Sequence, residues 1–273
     1  MASNTPNAAT TTQPPPKRTL TRRFQGMLLN LNDVWQFVTR FFREVFLPPY
    51  EFGEIVRQCF EVGYKSLGLI SLTGFITGLV FTNQSRPSLA EFGATSWLPA
   101  LIAIAIVRAL APLITALIAA GKVGSNIGAE LGSMKVTEQI DAMEVSATNP
   151  FKFLVVSRVL ATTLMMPVLT MYTAFVALVG GFISVNANEA TSLATFVEQA
   201  FSAITFLDVF SSTAKAFVFG FTIGIVGCYK GYNSSKGTEG VGRAANAAVV
   251  TSMFLIFIEE VIIMQLVNAF RPA

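Results

Sequence analysis

No histidine occurs anywhere in the 273 residues. This removes Ser-His-Asp and Cys-His catalysis and every histidine-ligated metal site. Cysteine is almost as scarce. Cys59 and Cys228 stand far apart and outside any metal-binding spacing, which reads as two unpaired thiols in a reducing or lipid setting. Charge is thin as well: 13% of residues are Asp, Glu, Lys or Arg, about half the roughly 25% of a soluble domain. A nucleotide-binding loop is missing too. The one Gly-Lys dipeptide, Gly121-Lys122, is followed by Val123 and has Ala116 where a GxxxxGK[ST] loop needs its first glycine. The formal net charge of +3 is too small to imply nucleic acid.

What remains is apolar. Hydrophobic residues make up 52% of the chain and mean hydropathy is +0.58, so a bilayer is the expected solvent. Residues 1–19 are rich in Thr, Asn and Pro, lack the apolar stretch of a signal peptide, and read as a disordered, uncleaved tail. Over 20–47 apolar residues recur every three or four positions among Arg22, Arg23, Asp33, Arg40 and Glu44. This predicts an amphipathic helix lying in the membrane interface or packed on another subunit, closed by Pro48-Pro49. Five apolar segments follow, at about 66–82, 97–120, 159–185, 207–228 and 244–269. Each meets the roughly 17 to 25 residues of a transmembrane helix. The first is the weakest, and it gains length if it starts at Cys59. The expected fold is therefore an all-α membrane protein: one interfacial helix plus five spans, as one membrane domain over 20–273. Gly74-x-x-x-Gly78 and Gly220-x-x-x-Gly224 allow close helix contacts, most simply within the chain. Pro112 and Pro167 interrupt the second and third spans as candidate bends.

Basic residues set the orientation. Fifteen fall before the first span, between the second and third, and between the fourth and fifth; only Arg86 and Arg271 fall on the opposite side. The N-terminus is expected in the cytoplasm, the C-terminus outside, and the polar segment 121–150 in the cytoplasm.

Four ionisable groups lie deep inside the spans: Arg108, Lys215, Glu259 and Glu260. At about 1.5 Å per residue they fall ~18 to 22 Å from the cytoplasmic ends of their spans, in one slab. Each costs about 2.5–3.5 kcal/mol at the bilayer centre on insertion scales, so each needs a partner or a wet cavity. Lining a polar cavity, pairing to hold the bundle and relaying protons all satisfy that demand. Neighbouring helix positions diverge by about 100°, so Glu259 and Glu260 cannot face one partner.

The segment 121–150 is polar without being a linker, which would be Gly/Ser- or Pro-rich. Its charges alternate in sign (Lys122, Glu130, Lys135, Glu138, Asp141, Glu144), Gly124, Gly128 and Gly132 recur every fourth residue, and Met134, Ile140, Met143 and Val145 fall mostly three or four apart. That predicts short helices with one apolar stripe, able to approach a neighbour closely.

Within it, Ala129-Glu130-Leu131-Gly132, the run Met134 through Glu144, Asn149-Pro150, and then Ser157-Arg158-Val159-Leu160-Ala161 resemble the MlaE/YrbE permease family, the membrane subunits of MCE-associated ABC transporters. The resemblance covers about 22–270. It implies half of a homodimeric membrane domain in the inner membrane of a Gram-negative bacterium. It implies a separate ATP-binding subunit that keeps ATP and magnesium to itself, so that this chain binds no cofactor and is not an enzyme. It also implies an MCE-domain protein on the periplasmic side and phospholipid moved between inner and outer membranes. Glu130, Lys135, Glu138, Gln139, Asp141 and Glu144 become the expected coupling contacts. Two rivals belong to other classes. One is a membrane anchor for an MCE protein that moves no lipid. The other is an intramembrane lipid enzyme, which lacks the histidine, facing aspartates or cysteine cluster it would need.

Overall fold

The computed structural model describes residues 20–48, 50–189 and 191–269, with side chains from residue 32 onward; the tail at 1–19 and Arg271 lie outside them. The chain divides into two compact units, residues 1–40 and 41–273. In the first, residues 20–40 belong to helix α1 (Leu20–Val45), the helix expected over 20–47. Trp35 is exposed there and Val34 partly so.

The second unit is helical throughout its described length: α2 (Phe52–Val62), α3 (Leu67–Glu91), α4 (Leu98–Ala105), α5 (Ala111–Ala119), α6 (Ser125–Val136), α7 (Gln139–Val145), α8 (Ser157–Glu189), α9 (Leu193–Ala203), α10 (Phe206–Tyr232) and α11 (Thr238–Ala269). Among the described residues, five helical runs are long and apolar enough to cross a membrane: Phe52–Glu91, Thr95–Val136, Phe151–Glu189, Phe206–Tyr232 and Thr238–Ala269. They coincide with the five expected segments, and each is longer.

The second run differs most from expectation. Its helix does not stop at residue 120. It continues through α6 as one run of 42 residues, about 63 Å at 1.5 Å per residue against a hydrocarbon core of roughly 30 Å. Gly121 and Gly124 sit inside it, in a π-turn over Ala120–Gly124. A second π-turn covers Ile106–Leu110, and a third, Phe151–Val156, leads into α8. Each holds one basic residue, Lys122, Arg108 and Lys152 respectively. Pro112 stands directly after a π-turn, inside the continuous helical run, and its missing N–H leaves the carbonyl four residues back, that of Arg108, without a helical donor.

Helix α8 is the centre of the bundle, with α3 packed on one face and α10 on another. Two of its neighbours reach it through glycines. A Cβ at Gly78 would stand 1.9 Å from the Ala177 carbonyl oxygen, and one at Gly224 would stand 2.3 Å from Thr162 Oγ1. Both glycine pairs thus serve packing within the chain, where van der Waals contact rather than hydrophobic burial holds helices together in lipid. Hydroxyls bridge α8 to its neighbours: Ser71 Oγ to Tyr172 Oη at 2.7 Å and Ser184 Oγ donating to Asn83 Oδ1 at 2.6 Å on the α3 side, and Thr115 Oγ1 of α5 to Thr173 Oγ1 at 2.7 Å.

Between the third and fourth expected spans, residues 186–206 contain helix α9. Ser192 caps it, its hydroxyl accepting from the Thr195 amide at 3.2 Å. Phe196 and Ala200 are buried against the cluster of Leu98, Ile102 and Val185.

Candidate functional site

Two polar regions stand out in a bundle otherwise lined with apolar side chains. The first lies inside the spans. Asp208 is 1% exposed and sits at the third position of α10, where a capping box joins it to Thr205. Its Oδ2 accepts from the Thr205 amide at 3.0 Å and from Thr205 Oγ1 at 2.7 Å. The same carboxylate takes Arg108: Nε lies 2.6 Å from Oδ1 and the terminal nitrogen donates to Oδ2 at 3.1 Å. The π-turn carries Arg108, and Pro112, four residues on and without an N–H, leaves the Arg108 carbonyl open to accept from Lys215 Nζ at 3.2 Å. Lys215 also donates to Glu260 Oε1 at 2.6 Å. Glu259, one position earlier, turns away and accepts from Thr222 Oγ1 at 2.5 Å. One oxygen of each glutamate, Oε2, is buried without a hydrogen-bond partner.

The four expected groups thus divide between two ion pairs and a hydroxyl. Lys215 pairs with Glu260, and Arg108 pairs with Asp208, a residue outside the expected set. The Arg108 carbonyl links the two pairs, while Glu259 takes a hydroxyl. Asp208 escaped notice because it stands at the edge of an apolar segment. Its signature was legible all the same: Thr205-x-x-Asp208 ahead of an apolar run is a capping box.

Beside the cluster opens a cavity of about 300 Å³ lined by Arg108, Asp208, Lys215, Glu260, Met264 and Asn268, among others. That is the lower end of the roughly 300–1,000 Å³ of small-ligand sites. It has room for a polar group of headgroup size with apolar wall alongside, not for two buried acyl chains.

The second region is the helical hairpin of α6 and α7. Gly128 packs on Ala244, Ala245 and Ala248 of α11, and Gly132 on Val241 and Ser234, so the four-residue glycine repeat seats α6 against the last span. The chain reverses at Glu138, whose φ of 58° is left-handed; the Ala142 amide donates to its carbonyl at 3.0 Å. Of the apolar stripe, Ile140 is buried at 1% exposure while Val145 is 90% exposed. Glu138, Gln139, Asp141 and Glu144 are all exposed. Lys135 is held by Asp141 at 2.9 Å. Glu130 is held by Arg158, 2.8 Å away, and Arg158 is 2% exposed with a second bond to the Leu154 carbonyl at 3.0 Å. The pair ties α6 to α8. At the base of the hairpin, Asn149 Nδ2 donates to Glu44 at 3.2 Å and Lys152 Nζ to the Leu47 carbonyl. The hairpin is thus rigidly held by three other elements and leaves a charged face free.

A family profile described as Permease MlaE matches residues 55–266. A protein of Rickettsia typhi named as a probable ABC transporter permease is 38% identical over 223 residues, which are 80% of this chain and 85% of that one. A Synechocystis protein with the same kind of name is 38% identical over 205 residues, 75% of this chain and 78% of its own. The Arabidopsis thaliana protein TRIGALACTOSYLDIACYLGLYCEROL 1, chloroplastic, is 33% identical over 208 residues, 76% of this chain and 59% of its own length.

Proposed function

This chain belongs to the MlaE permease family of ABC transporters, and from that premise we propose that it is the membrane subunit of a lipid transporter driven by a separate ATP-binding subunit. The observation that carries the reading is the α6–α7 hairpin. It has an exposed acidic face at Glu138, Gln139, Asp141 and Glu144, and it is fixed to α8 by Arg158–Glu130 and to α11 by Gly128. A partner that pushes on this face moves two spans at once. Helix-in-groove docking uses an apolar stripe with charged flanks, which the exposed Val145 and the charges around it supply, and the Gly121-Lys122 site offers no phosphate loop of its own. ATP and magnesium stay with the partner.

The cargo is phospholipid, moved between the inner and outer membranes of a Gram-negative bacterium in concert with a periplasmic MCE-domain protein. The polar cavity beside Arg108, Lys215 and Glu260 supports a path for an amphiphile, and a relative named for a galactolipid fits a lipid cargo. The distribution of basic residues supports a cytoplasmic hairpin and an α1 lying in the cytoplasmic interface. A second copy packs along α11. This span is the least covered: 17% of its most apolar window is buried, against 61% in α10, yet it carries two glutamates. Such residues belong on a bundle interior.

The test is a double charge reversal, Glu138→Lys with Asp141→Lys, in the assembled transporter. Lipid movement and lipid-stimulated ATP hydrolysis are expected to fall together while the chain stays in the membrane. If lipid distribution is unchanged, the chain is an anchor for its partners and the coupling reading fails.

A further inference from the structure

A larger cavity, about 610 Å³, lies away from the intramembrane cluster, between α2 and the α6 end of the second run. Its wall is mixed and carries both signs: Arg57 and Lys122 are the cations, Glu61 and Glu130 the anions, beside Asn126 and Ser133. Val62 and Ile127 supply apolar wall. Lys122 is aimed by its π-turn and donates to the Lys65 carbonyl and to Ser66 Oγ at 3.4 Å. Each of the other charges already has a partner within the chain. Arg57 meets Glu54 at 3.3 Å with 64% of its side chain exposed. Glu61 meets Lys65 at 2.7 Å with both side chains about half exposed. Glu130 is 47% exposed beside Arg158. The Glu61–Lys65 pair, exposed on both sides, is weak, whereas Glu130 keeps the buried Arg158 on one carboxylate oxygen and has a second to offer. Next to the charged edge of α2 runs an apolar one. Phe52, Val56, Phe60 and Tyr64 follow each other at four-residue spacing, and all are more than half exposed; the last two rings stack at 4.9 Å.

A dipolar polar hollow bordered by a bare aromatic stripe, at one end of a membrane-spanning run, matches an amphiphile with a zwitterionic head. We propose that this cavity holds the headgroup of an aminophospholipid, the phosphate on Arg57 and Lys122 and the primary ammonium on Glu61 and Glu130, with an acyl chain laid along Phe52, Val56, Phe60 and Tyr64. Basic hollows between spans hold lipid headgroups in this way, and the two carboxylates add selection for a head that can donate hydrogen bonds. A choline head has no N–H to give. A phosphatidylglycerol head offers no cation. The site lies apart from the cavity at Arg108 and does not depend on the chain moving lipid. Because Glu130 belongs to both the cavity wall and the Arg158 pair, an occupied site bears directly on the base of the hairpin.

The full chain, reconstituted in nanodiscs of equal parts phosphatidylethanolamine, phosphatidylglycerol and phosphatidylcholine, is released into mild detergent, and retained lipid is counted by native mass spectrometry. Phosphatidylethanolamine is expected to dominate. Arg57→Gln lowers its retention about tenfold, the worth of one charge-assisted hydrogen bond, while Arg57→Lys restores most of it. Glu61→Gln removes the preference over phosphatidylglycerol without removing binding. Arg86→Gln, which disturbs the ion pair with Glu189 at 3.3 Å, changes nothing. Equal retention of the three lipids by the unaltered chain, or equal retention by the Arg57→Gln and Arg86→Gln forms, overturns the proposal. So does displacement of the lipid by millimolar glycerophosphoethanolamine, which would mark a site for a soluble headgroup. None of these readouts requires ATP or transport, so they fail or succeed apart from the coupling test.

Discussion

Lys215 has 5% of its side chain exposed and Glu260 has 13%, and the ammonium stands 2.6 Å from the carboxylate. Removing one member of such a buried pair leaves the other charge uncompensated, which costs about 3–5 kcal/mol. Lys215→Met is therefore expected to lower the thermal midpoint of the reconstituted protein sharply. The double change Lys215→Met with Glu260→Gln should recover most of the loss. If the double variant is as unstable as the single one, the pair is not what Lys215 supports. Glu259→Gln makes the contrast. The Glu259 partner is the Thr222 hydroxyl, which can donate to an amide oxygen equally well, so its midpoint should hold. Sequence alone brings Arg108, Lys215, Glu259 and Glu260 to one depth, because hydropathy and a fixed rise per residue suffice for that. It does not choose the partners. Asp208 is found only in three dimensions, since a carboxylate at the first turn of a span looks like an ordinary cap until Arg108 is seen against it.

Among the elements, the hairpin turn and the glycine seams make separate demands. Glu138 occupies a left-handed conformation at φ 58°, which costs an L-residue roughly 1–2 kcal/mol and glycine almost nothing. Glu138→Gly should therefore leave the midpoint unchanged or raise it, whereas Glu138→Val should lower it, at a cost in stability of about 1 kcal/mol or more. Glycine removes the charge without straining the turn, so assaying both forms for partner binding separates the shape of the hairpin from its acidity. At the seam, Gly78→Ala drives a methyl into the Ala177 carbonyl and should cost about 1–3 kcal/mol, the usual range for overpacking. Gly68→Ala meets nothing within 4 Å and should be neutral. Equal midpoints for these two alanine forms would contradict the close α3–α8 crossing. Helix number and approximate span positions are legible because apolar length is a strong signal. The three π-turns are not, since one extra residue per turn leaves hydropathy untouched and shows only as a shift of facing, as at Arg108. Helix α9 is missed for another reason: its 11 residues are too few to read as a span, and its neighbours Ser192 and Thr205 suggest loop.

At the scale of the whole molecule, the unresolved demand is α11. Its outward stripe of Phe254, Phe257 and Val261 is more than half exposed, while the same helix carries Glu259 and Glu260, each with a buried carboxylate oxygen that has no partner. Lipid can cover the phenylalanines but cannot satisfy the acids. A second copy packed along α11 would keep the glutamates on an interior seam and close the cavity bounded by Met264 and Asn268. Phe175 on α8 is equally bare, at 65%, but no charge stands beside it, so that surface needs only lipid. These two faces can be told apart in native membranes. With Cys59 and Cys228 replaced by serine, single cysteines at Phe257 and at Val261 are expected to form disulfide-linked dimers on mild oxidation, and one at Phe175 is expected to stay monomeric. Cross-linking at Phe175 but at neither α11 position would move the pairing face to α8 and leave the two glutamates to lipid and water.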